Sequence, residues 1–293
     1  MPNPHLPYKK TRIAPTPSGY LHLGNVLSFA ITAALARQNN SKILLRIDDL
    51  DRNRANHLYL QDIFDTLNFL NIPWDYGPQD IEEFQANYSQ IHRIPLYNKA
   101  LKQLSDAGLV FACTCSRKQI NDTQACNCFD KKISLHTENA AWRLITNDAV
   151  AIQVKNYNGQ GINATLPAEM QNFIVKKKDG FPSYQLASVI DDTFYGVDLI
   201  VRGQDLWPST LAQHALASAL AMDNFADITF YHHPLLMEAP GKKLSKSAGA
   251  TSVHYLRENG KKPADIYSLI AEMLGIEKPV TDWQQLVGRL GEG

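Results

Sequence analysis

Three absences narrow the class of protein that this sequence encodes. No run of about 18 apolar residues occurs, so no membrane-spanning helix is expected. The stretch 1–10 lacks an apolar core followed by small residues, so no signal peptide is expected either. The charges cancel, with 29 Lys and Arg against 29 Asp and Glu, whereas a general nucleic-acid-binding protein is basic. We therefore expect a cytoplasmic protein in which any contact with RNA depends on a local patch.

Cysteine is scarce and clustered. The chain has four cysteines, which form two C-x-C pairs separated by ten residues: Cys113, Cys115, Cys126 and Cys128. Cysteines of cytosolic proteins usually stay reduced, and four thiolates grouped in this way are typical of one tetrahedral structural Zn²⁺ site. Two buried cysteine pairs or a single disulfide are the alternatives, and His136 is a further candidate ligand.

The apolar pattern predicts an α/β fold with a parallel sheet. Predicted strands and helices follow one another at 11–15 (strand), 24–38 (helix), 42–47 (strand), 60–70 (helix) and 94–107 (helix). Such alternation predicts right-handed crossovers between parallel strands. Ligands on these sheets bind at the carboxyl ends of the strands. His22 follows the first strand and Asp48 ends the second, so we expect both on that edge.

Changes in composition and in apolar pattern along the sequence divide the chain into a split domain, an insertion and a tail. We predict a Rossmann-like domain formed by residues 1–108 and 183–239. The intervening insertion, 109–182, is of mixed α/β character and contains the cysteines and a hairpin-type turn at Asp179-Gly180. Residues 240–293 contain a Lys-rich loop and a tail in which we predict two short helices.

Two short motifs, about 220 residues apart, combine into one candidate nucleotide site. The first, at 14–25 (APTPSGYLHLGN), places His22 and Gly24 at a predicted strand-to-helix turn. The second, at 241–247 (GKKLSKS), is a Lys-rich loop. A triphosphate bound between them would meet an imidazole donor, a helix N-terminus and ammonium groups, as nucleotidyl transfer requires. Taken alone, the first motif is explained by a histidine in a surface turn, and the second by a solvent-exposed basic loop. The prediction of a nucleotide site therefore depends on both motifs occurring together.

Together, the two motifs resemble the HIGH and KMSKS signatures of class I aminoacyl-tRNA synthetases. Further segments are similar to glutamyl-tRNA synthetases: 12–19, 45–51, 184–192 and 200–206. The resemblance covers roughly residues 10–250. It implies a catalytic domain that adenylates L-glutamate with ATP, with Mg²⁺ as the expected ion.

The resemblance also implies a set of site residues. Catalysis would rest on His22, Gly24, Asn25, Lys243 and Lys246, of which His22, Gly24 and Lys246 would bind ATP. The glutamate would be held by Arg12, Ala14, Thr16, Asp48, Tyr184 and Arg202. Two guanidinium groups can hold two carboxylates, an acidic residue can bind an ammonium group, and a phenol can donate or accept a hydrogen bond. The set therefore suits an acidic α-amino acid.

Asp48 departs from the glutamyl pattern. The glutamyl enzymes usually have Glu at this place, and the glutaminyl enzymes tend to have Asp. The glutaminyl enzymes, however, lack an Arg at the position of Arg202. Because Arg202 changes the charge of the pocket while Asp48 only shortens a carboxylate, we expect glutamate to be the substrate.

The chain ends 46 residues after Ser247, whereas a full glutamyl-tRNA synthetase continues into an anticodon-binding domain. In its short length and its paired cysteines, the chain resembles the glutamyl-queuosine tRNA(Asp) synthetases. The comparable zinc site of the related family differs, because it has a Tyr among its ligands. This resemblance implies that no anticodon-binding domain is present and that glutamate is transferred to queuosine, at the wobble position of tRNA(Asp).

Other functions remain open at this point. They are a minimal enzyme that charges the 3′ end of tRNA(Glu), a small-molecule adenylyltransferase that does not act on RNA, and a degenerate tRNA-binding paralogue. The expected partners are L-glutamate, ATP and a tRNA, and we expect a monomer that does not contact membranes.

Overall fold

The computed structural model of the protein describes residues 8–51, 56–116, 119, 126–147, 149–239, 242–243 and 252–290. The chain divides into two compact units. The first unit comprises the described residues within 1–92, 197–205 and 230–293, and the second comprises those within 93–196 and 206–229. The domain limits expected from the sequence, at 109, 183 and 240, stay a prediction.

Short strands and helices of varied length make up the described part of the chain. The strands are β1 (Lys10–Ile13), β2 (Lys42–Leu45), β3 (Val110–Cys113), β4 (Ala141–Leu144), β5 (Ile152–Asn156), β6 (Gly161–Ala164), β7 (Ile174–Lys176), β8 (Leu199–Gly203), β9 (Thr229–His233), β10 (Met237–Ala239) and β11 (Lys242–Lys243). The α-helices are α1 (Leu23–Asn39), α2 (His57–Phe69), α3 (Ile81–Glu83), α4 (Ile94–Asp106), α5 (Tyr184–Phe194), α6 (Trp207–Ala219), α7 (Asp223–Ala226), α8 (Val253–Glu258), α9 (Pro263–Met273) and α10 (Trp283–Leu290).

The sheet of the first unit contains strands in the order β2-β1-β8-β9. Strand β1 runs parallel to both neighbours, with Thr11 beside Ile43 of β2 and Leu199 of β8. The last three residues of β2, Ile43 to Leu45, are all buried, as expected of a strand in a parallel sheet that is covered on both faces. The predicted α/β fold with a parallel sheet is confirmed.

Helix α1 connects β1 to β2 and begins at the first sequence motif. Eleven of its 17 residues are buried, which marks it as an interior helix rather than an amphipathic surface helix. It ends at Asn40, whose backbone has a positive φ of 53° and whose N–H donates to the carbonyls of Ala36 and Arg37. Because α1 is buried along its sides and capped by hydrogen bonds at its end, it can hold the residues at its start in one orientation.

The described part of the tail contains one helix more than we predicted. We predicted two short helices, which correspond to α8 and α9, whereas α10 is a third. Its apolar residues recur at helical spacing, at Trp283, Leu286, Val287 and Leu290, and Trp283 and Leu286 are buried. The indole of Trp283 donates to the carbonyl of Asn71 at 3.0 Å. The third helix therefore has a local signal in its apolar spacing, and the long-range contact adds to its stability.

The second unit contains antiparallel strands. Strands β3, β4 and β7 pair in the order β3-β4-β7, and β5 pairs with β6. The predicted turn at Asp179-Gly180 is present, because the N–H of Lys177 donates to the carbonyl of Phe181 at 2.8 Å and Gly180 has a φ of +87°. Only glycine adopts such a φ without strain. The described residues of the insertion thus form mainly strands, and its mixed α/β character stays a prediction.

A buried ion pair fixes α4 to α5. Arg93, at the start of α4, donates to both oxygens of Asp191 on α5 at 2.7 and 3.1 Å, and the hydroxyl of Tyr97 donates to Asp191 at 2.7 Å. The Asp191 side chain is fully buried. Burial lowers the pKa of Arg93, but the contact with Asp191 outweighs burial and raises the pKa above its ordinary value.

Within the described ranges, none of the helices combines the length and the apolar content needed to cross a membrane.

Candidate active site

His22 is the N-cap of α1, and this position fixes its imidazole ring. Its Nδ1 accepts the N–H of Gly24 at 3.1 Å, while the side-chain oxygen of Asn25 accepts the backbone N–H of His22 at 3.0 Å. The two bonds form a capping box. A neutral imidazole that accepts at Nδ1 carries its proton at Nε2. The cap therefore selects the tautomer in which Nε2 of His22 is the hydrogen-bond donor.

Gly24 is required by the same ring. A Cβ atom at this position would lie 3.1 Å from both Nδ1 and Cε1 of His22, closer than carbon atoms normally pack. The resemblance assigned Gly24 to ATP binding, and the structure adds its close approach to the ring of His22. Any side chain at Gly24 would press on the imidazole and change the direction of its Nε2–H bond.

The segment that carries His22 also contacts the chain that follows the second motif. His22 forms an isolated antiparallel bridge with Ser252, and the N–H of Val253 donates to the carbonyl of Leu21 at 2.7 Å. Helix α8 thus begins against the first motif.

The second motif is described only in part. Lys243 ends β11, opposite Met237 of β10 in a short hairpin, whereas Lys246 lies outside the described residues. The described residues on either side of the loop, Lys243 and Ser252, belong to the same unit as His22.

Arg12 and Arg202 lie on neighbouring parallel strands and share one face of the sheet. Thr11 pairs with Leu199, Arg12 is one residue past the first, and Arg202 is three residues past the second. Odd offsets from a paired position lie on the same face because side chains alternate along a strand. Both residues are buried, with 6% and 3% of their surface exposed. The structure therefore places the two guanidinium groups predicted to bind glutamate on one face of the sheet.

Each guanidinium group has a defined environment. Nη1 of Arg12 donates to the carbonyl of Val201 on β8 at 3.2 Å. The Arg202 guanidinium lies 5.1 Å from the centre of the Phe230 ring on β9, at the distance of a cation–π contact. Burial, the charge of Arg202 and neighbouring His233 lower the pKa of His232 to about 4. His232 is therefore neutral near pH 7 and adds no positive charge next to Arg202.

Asp48 lies three residues after the end of β2, at the predicted carboxyl edge. Its N–H donates to the carbonyl of Pro15, in the segment that leaves β1. Its carboxylate accepts two hydrogen bonds from Arg46, at 2.7 and 3.0 Å. Both side chains are buried. The residue predicted to bind an ammonium group is thus a carboxylate held in place by a bidentate guanidinium.

The remaining predicted glutamate-binding residues lie elsewhere on these elements. Ala14 and Thr16 follow β1 in the first unit, Ala14 half-buried and Thr16 exposed. Tyr184 is the first residue of α5 in the second unit and is 45% exposed. The hydroxyl of Ser183, just before it, caps the helix by accepting the N–H of Leu186 at 3.4 Å. The cap fixes the residue at which α5 begins, and so it fixes Tyr184 as the first residue of the helix.

The four cysteines come together in the second unit. All four are free thiols, and their sulfur atoms lie within 4.8 Å of one another. Three of the sulfur–sulfur distances are 3.4, 3.5 and 3.9 Å. Zn–S bonds of about 2.3 Å in a tetrahedron require sulfur–sulfur distances of about 3.8 Å. The thiols are therefore grouped as a tetrahedral metal site requires, and the alternative of a disulfide does not occur.

The sheet supports this cluster at its base. Cys113 ends β3, which pairs with β4, and the ring of Phe111 on the same strand packs edge-on against Phe129 at 5.5 Å. Burial and the neighbouring thiols raise the pKa of Cys126 to about 12. Within the described part of the chain, the metal-competent group consists of the four cysteines and does not include His136.

Comparison with known proteins identifies the family. The family profile described as tRNA synthetases class I (E and Q), catalytic domain, matches residues 9–281. The chain belongs to this family. The predicted resemblance to class I synthetases, a family of ligases, is confirmed, and the HIGH-like and KMSKS-like motifs both fall within the matched range.

Relatives of this class I synthetase fall into two groups. The Glutamyl-Q tRNA(Asp) synthetase of Synechococcus sp. (strain CC9605) is 34% identical over 92% of this chain and 84% of that protein. The Glutamyl-Q tRNA(Asp) synthetase of Pseudomonas aeruginosa (strain LESB58) is also 34% identical, over 86% of this chain and 85% of that protein. The glutamate–tRNA ligase of Dehalococcoides mccartyi (strain CBDB1) is 30% identical over 89% of this chain but only 55% of the ligase. The chain thus spans about half the length of that ligase.

A solved structure shares the fold of this class I synthetase. The glutamate–tRNA synthetase of Elizabethkingia anophelis superposes with a TM-score of 0.72 at 20% sequence identity, covering 96% of this chain and 65% of that one. At this identity the likeness concerns the fold alone.

Sequence reasoning missed two residues that contact the predicted site residues or the segment next to them, Arg46 and Asp62. Arg46 precedes Asp48 by two residues in an extended segment, a spacing that places both side chains on the same side. This spacing could have predicted the pair from the sequence. Asp62 is a buried acid on the apolar side of α2, where a charged residue needs a partner. Its partners come from segments distant in the sequence, so only the structure reveals them.

Proposed function

We propose that this protein activates L-glutamate with ATP and transfers the glutamyl group to queuosine in the anticodon of tRNA(Asp). The observation that carries the first step is the pair of buried guanidinium groups, Arg12 and Arg202, on one face of the sheet in a synthetase of the E and Q family. The second step is supported by relatives of matching length that are named Glutamyl-Q tRNA(Asp) synthetase.

Activation is a nucleotidyl transfer. A carboxylate oxygen of glutamate attacks the α-phosphorus of ATP, the bond to the bridging oxygen breaks, and pyrophosphate leaves with the electron pair. Nε2–H of His22, fixed by the cap at Nδ1, donates to a phosphate oxygen as negative charge develops. The N–H of Gly24 holds this ring, the side chain of Asn25 holds the backbone of His22, and Lys243 and Lys246 neutralise the leaving pyrophosphate. ATP enters as its Mg²⁺ complex, in which the ion shields part of the triphosphate charge.

Glutamate is recognised by charge. Arg12 and Arg202 bind carboxylate groups, and Asp48, oriented by Arg46, accepts the α-ammonium group directly or through a water molecule. We propose that Ala14 and Thr16 line the pocket where the chain leaves β1. A hydroxyl group of the nucleoside then attacks the carbonyl carbon of the adenylate, and AMP leaves as the ester forms.

The cysteine cluster is proposed to hold one structural Zn²⁺ ion. Its ligands would be Cys113, Cys115, Cys126 and Cys128, whose sulfur atoms already have tetrahedral spacing. When bound, the ion would link strand β3 to the chain around Cys126 and Cys128, in a segment with few apolar residues to hold it. No catalytic step depends on it.

A second candidate function is that of a minimal glutamyl-tRNA synthetase, which charges the 3′ end of tRNA(Glu). The 30% identity to a glutamate–tRNA ligase favours it. Activation of glutamate is common to both functions, and they differ only in the acceptor. A small-molecule adenylyltransferase is a third candidate. We propose that the protein acts in the cytoplasm as a monomer.

Pyrophosphate exchange into ATP tests the shared first step. The purified protein is assayed with glutamate, glutamine, aspartate and a panel of small carboxylic acids, in the absence and in the presence of tRNA. We expect exchange with glutamate and little with the others. Exchange that depends on a small acid other than an amino acid would favour the third candidate, and no exchange with any compound would contradict the proposal.

A further inference from the structure

Asp62 is a buried carboxylate on α2 that contacts two separate parts of the nucleotide site. Only 2% of its surface is exposed. One oxygen accepts the backbone N–H of Leu21, directly before His22, at 3.3 Å. The other oxygen accepts Nη2 of Arg257, on α8, at 3.2 Å. One side chain therefore joins the first motif to the helix that follows the second motif.

These contacts close a ring around Leu21. The N–H of Leu21 donates to Asp62, and its carbonyl accepts the N–H of Val253 at 2.7 Å. Val253 is the first residue of α8, and Arg257 one turn later returns to Asp62. The backbone beside His22 is thus held from both sides, by α2 and by α8.

Aromatic rings cover the same junction. The ring of Tyr20 stacks on His254 of α8 at 4.1 Å with an interplanar angle of 3°, and Tyr59 of α2 meets Tyr20 edge-on at 4.9 Å. Nδ1 of His254 lies 3.6 Å from Asp62. Three segments of the chain therefore meet at one carboxylate, and a change there reaches all of them.

The carboxylate is held at a cost in stability. Burial raises the pKa of Asp62 above its ordinary range, the N–H of Leu21, Arg257 and His254 act in the opposite direction, and Asp65 adds to the rise. A raised pKa in the folded state means that the ionised group destabilises the fold above the pKa of the unfolded chain. Its contacts thus serve geometry more than stability.

We propose that Asp62 is a positioning residue, which sets the His22 segment in one geometry against α8 and so directs the imidazole at the triphosphate. The catalytic consequence rests on the proposed function. The geometric part, a single carboxylate that couples Leu21 to Val253 and Arg257, does not.

Hydrogen exchange tests the geometric part without any substrate. In Asp62→Asn the side chain keeps one acceptor oxygen and can satisfy Leu21 or Arg257 but not both. The matched control is Asp65→Asn, on the same helix and 3.6 Å from Arg257 but 45% exposed. We expect amide exchange in segments 19–25 and 252–258 to become about tenfold faster in Asp62→Asn than in the control. Equal exchange in the two variants would overturn the coupling.

A second variant keeps the test decisive if Asp62→Asn does not fold. Arg257 is 20% exposed at its side chain, and Arg257→Gln removes the same link from the other end while Asp62 stays in place. It has to accelerate exchange in the same two segments. Unchanged exchange there would also overturn the proposal.

Pyrophosphate exchange tests the catalytic part. We expect Asp62→Asn to lower kcat about tenfold with KM for glutamate within about twofold, and to lower kcat less than twofold further in a His22→Ala background. A structural defect would instead multiply with the loss from His22→Ala, and that result would contradict positioning. If the unmodified protein shows no glutamate-dependent exchange, the proposed function fails and hydrogen exchange alone decides the role of Asp62.

Discussion

Arg46 holds Asp48 through two parallel hydrogen bonds, from Nε to Oδ1 at 2.7 Å and from Nη2 to Oδ2 at 3.0 Å. Both side chains are buried at the carboxyl edge of the sheet. A carboxylate paired in this way points in one direction. The shorter side chain of Asp48, compared with the glutamate usual in glutamyl enzymes, is therefore compensated by a fixed direction.

The choice between glutamate and glutamine should depend on Arg202 more than on Asp48. A buried guanidinium that loses its anionic partner is costly, so the site should reject the neutral amide of glutamine. We expect Arg202→Ala to lower kcat/KM for glutamate about a hundredfold and Asp48→Glu to lower it less than about tenfold.

Exchange rates with glutamate, glutamine and aspartate check this prediction. The matched control is Arg37→Ala, at an exposed position near the end of α1, which should leave all three rates unchanged. Glutamine that outperforms glutamate in the unmodified protein would show that Asp48 governs the choice.

The orientation of His22 should be sensitive to a single methyl group. In Gly24→Ala the added Cβ would lie 3.1 Å from the imidazole, so we expect pyrophosphate exchange to fall about tenfold. His22→Ala and Lys246→Ala should each lower it ten- to a thousandfold, on the order expected for one charge-stabilising donor. Gly288→Ala is the control, since it also adds a methyl group to a helix but meets nothing within 4 Å. Normal exchange in both Gly24→Ala and His22→Ala would remove His22 from the mechanism.

One zinc ion per chain is expected from the cysteine cluster. Elemental analysis of the purified protein should find it, and the double change Cys126→Ser with Cys128→Ser should abolish it, since two ligands do not retain zinc as four do. The control His136→Ala should keep the full amount, because His136 lies outside the cluster. Stoichiometric zinc in the double variant would rule out this site.

The buried pair between Arg93 and Asp191 should dominate the local stability of the second unit. Asp191→Ala leaves the Arg93 charge buried without its anion, so we expect a loss of about 3–5 kcal/mol in the free energy of unfolding. Asp106→Ala, which breaks an exposed pair with Lys102, should cost less than about 1 kcal/mol. Urea denaturation of both variants measures the difference, and a loss in Asp191→Ala no larger than in Asp106→Ala would contradict it.

Local signals in the sequence were sufficient for the parallel sheet and for the position of its site edge. The run Ile43 to Leu45 and the motif at His22 mark a strand end and a helix start, and the structure has both within two residues of the prediction. The paired cysteines likewise predicted their cluster, because short spacing and a reduced state leave few arrangements.

Long-range contacts explain what the sequence did not predict. The indole of Trp283 reaches the carbonyl of Asn71, and the role of Asp62 depends on Leu21 and Arg257. Each of these pairs joins segments that are far apart in the chain. Periodicity and motif spacing report neighbours along the chain, so they contain no information on such pairs.

Transfer of labelled glutamate to defined tRNAs tests the central claim most directly. The protein is incubated with ATP, glutamate and tRNA(Asp) that contains either queuosine or guanosine at the wobble position, or with tRNA(Glu). In two further samples, either the queuosine diol or the 3′-terminal diol is blocked separately. We predict acceptance only by the queuosine-containing tRNA, kept when the 3′ end is blocked and lost when the queuosine diol is blocked. Acceptance at the 3′ end of tRNA(Glu), with none on queuosine, would contradict the account.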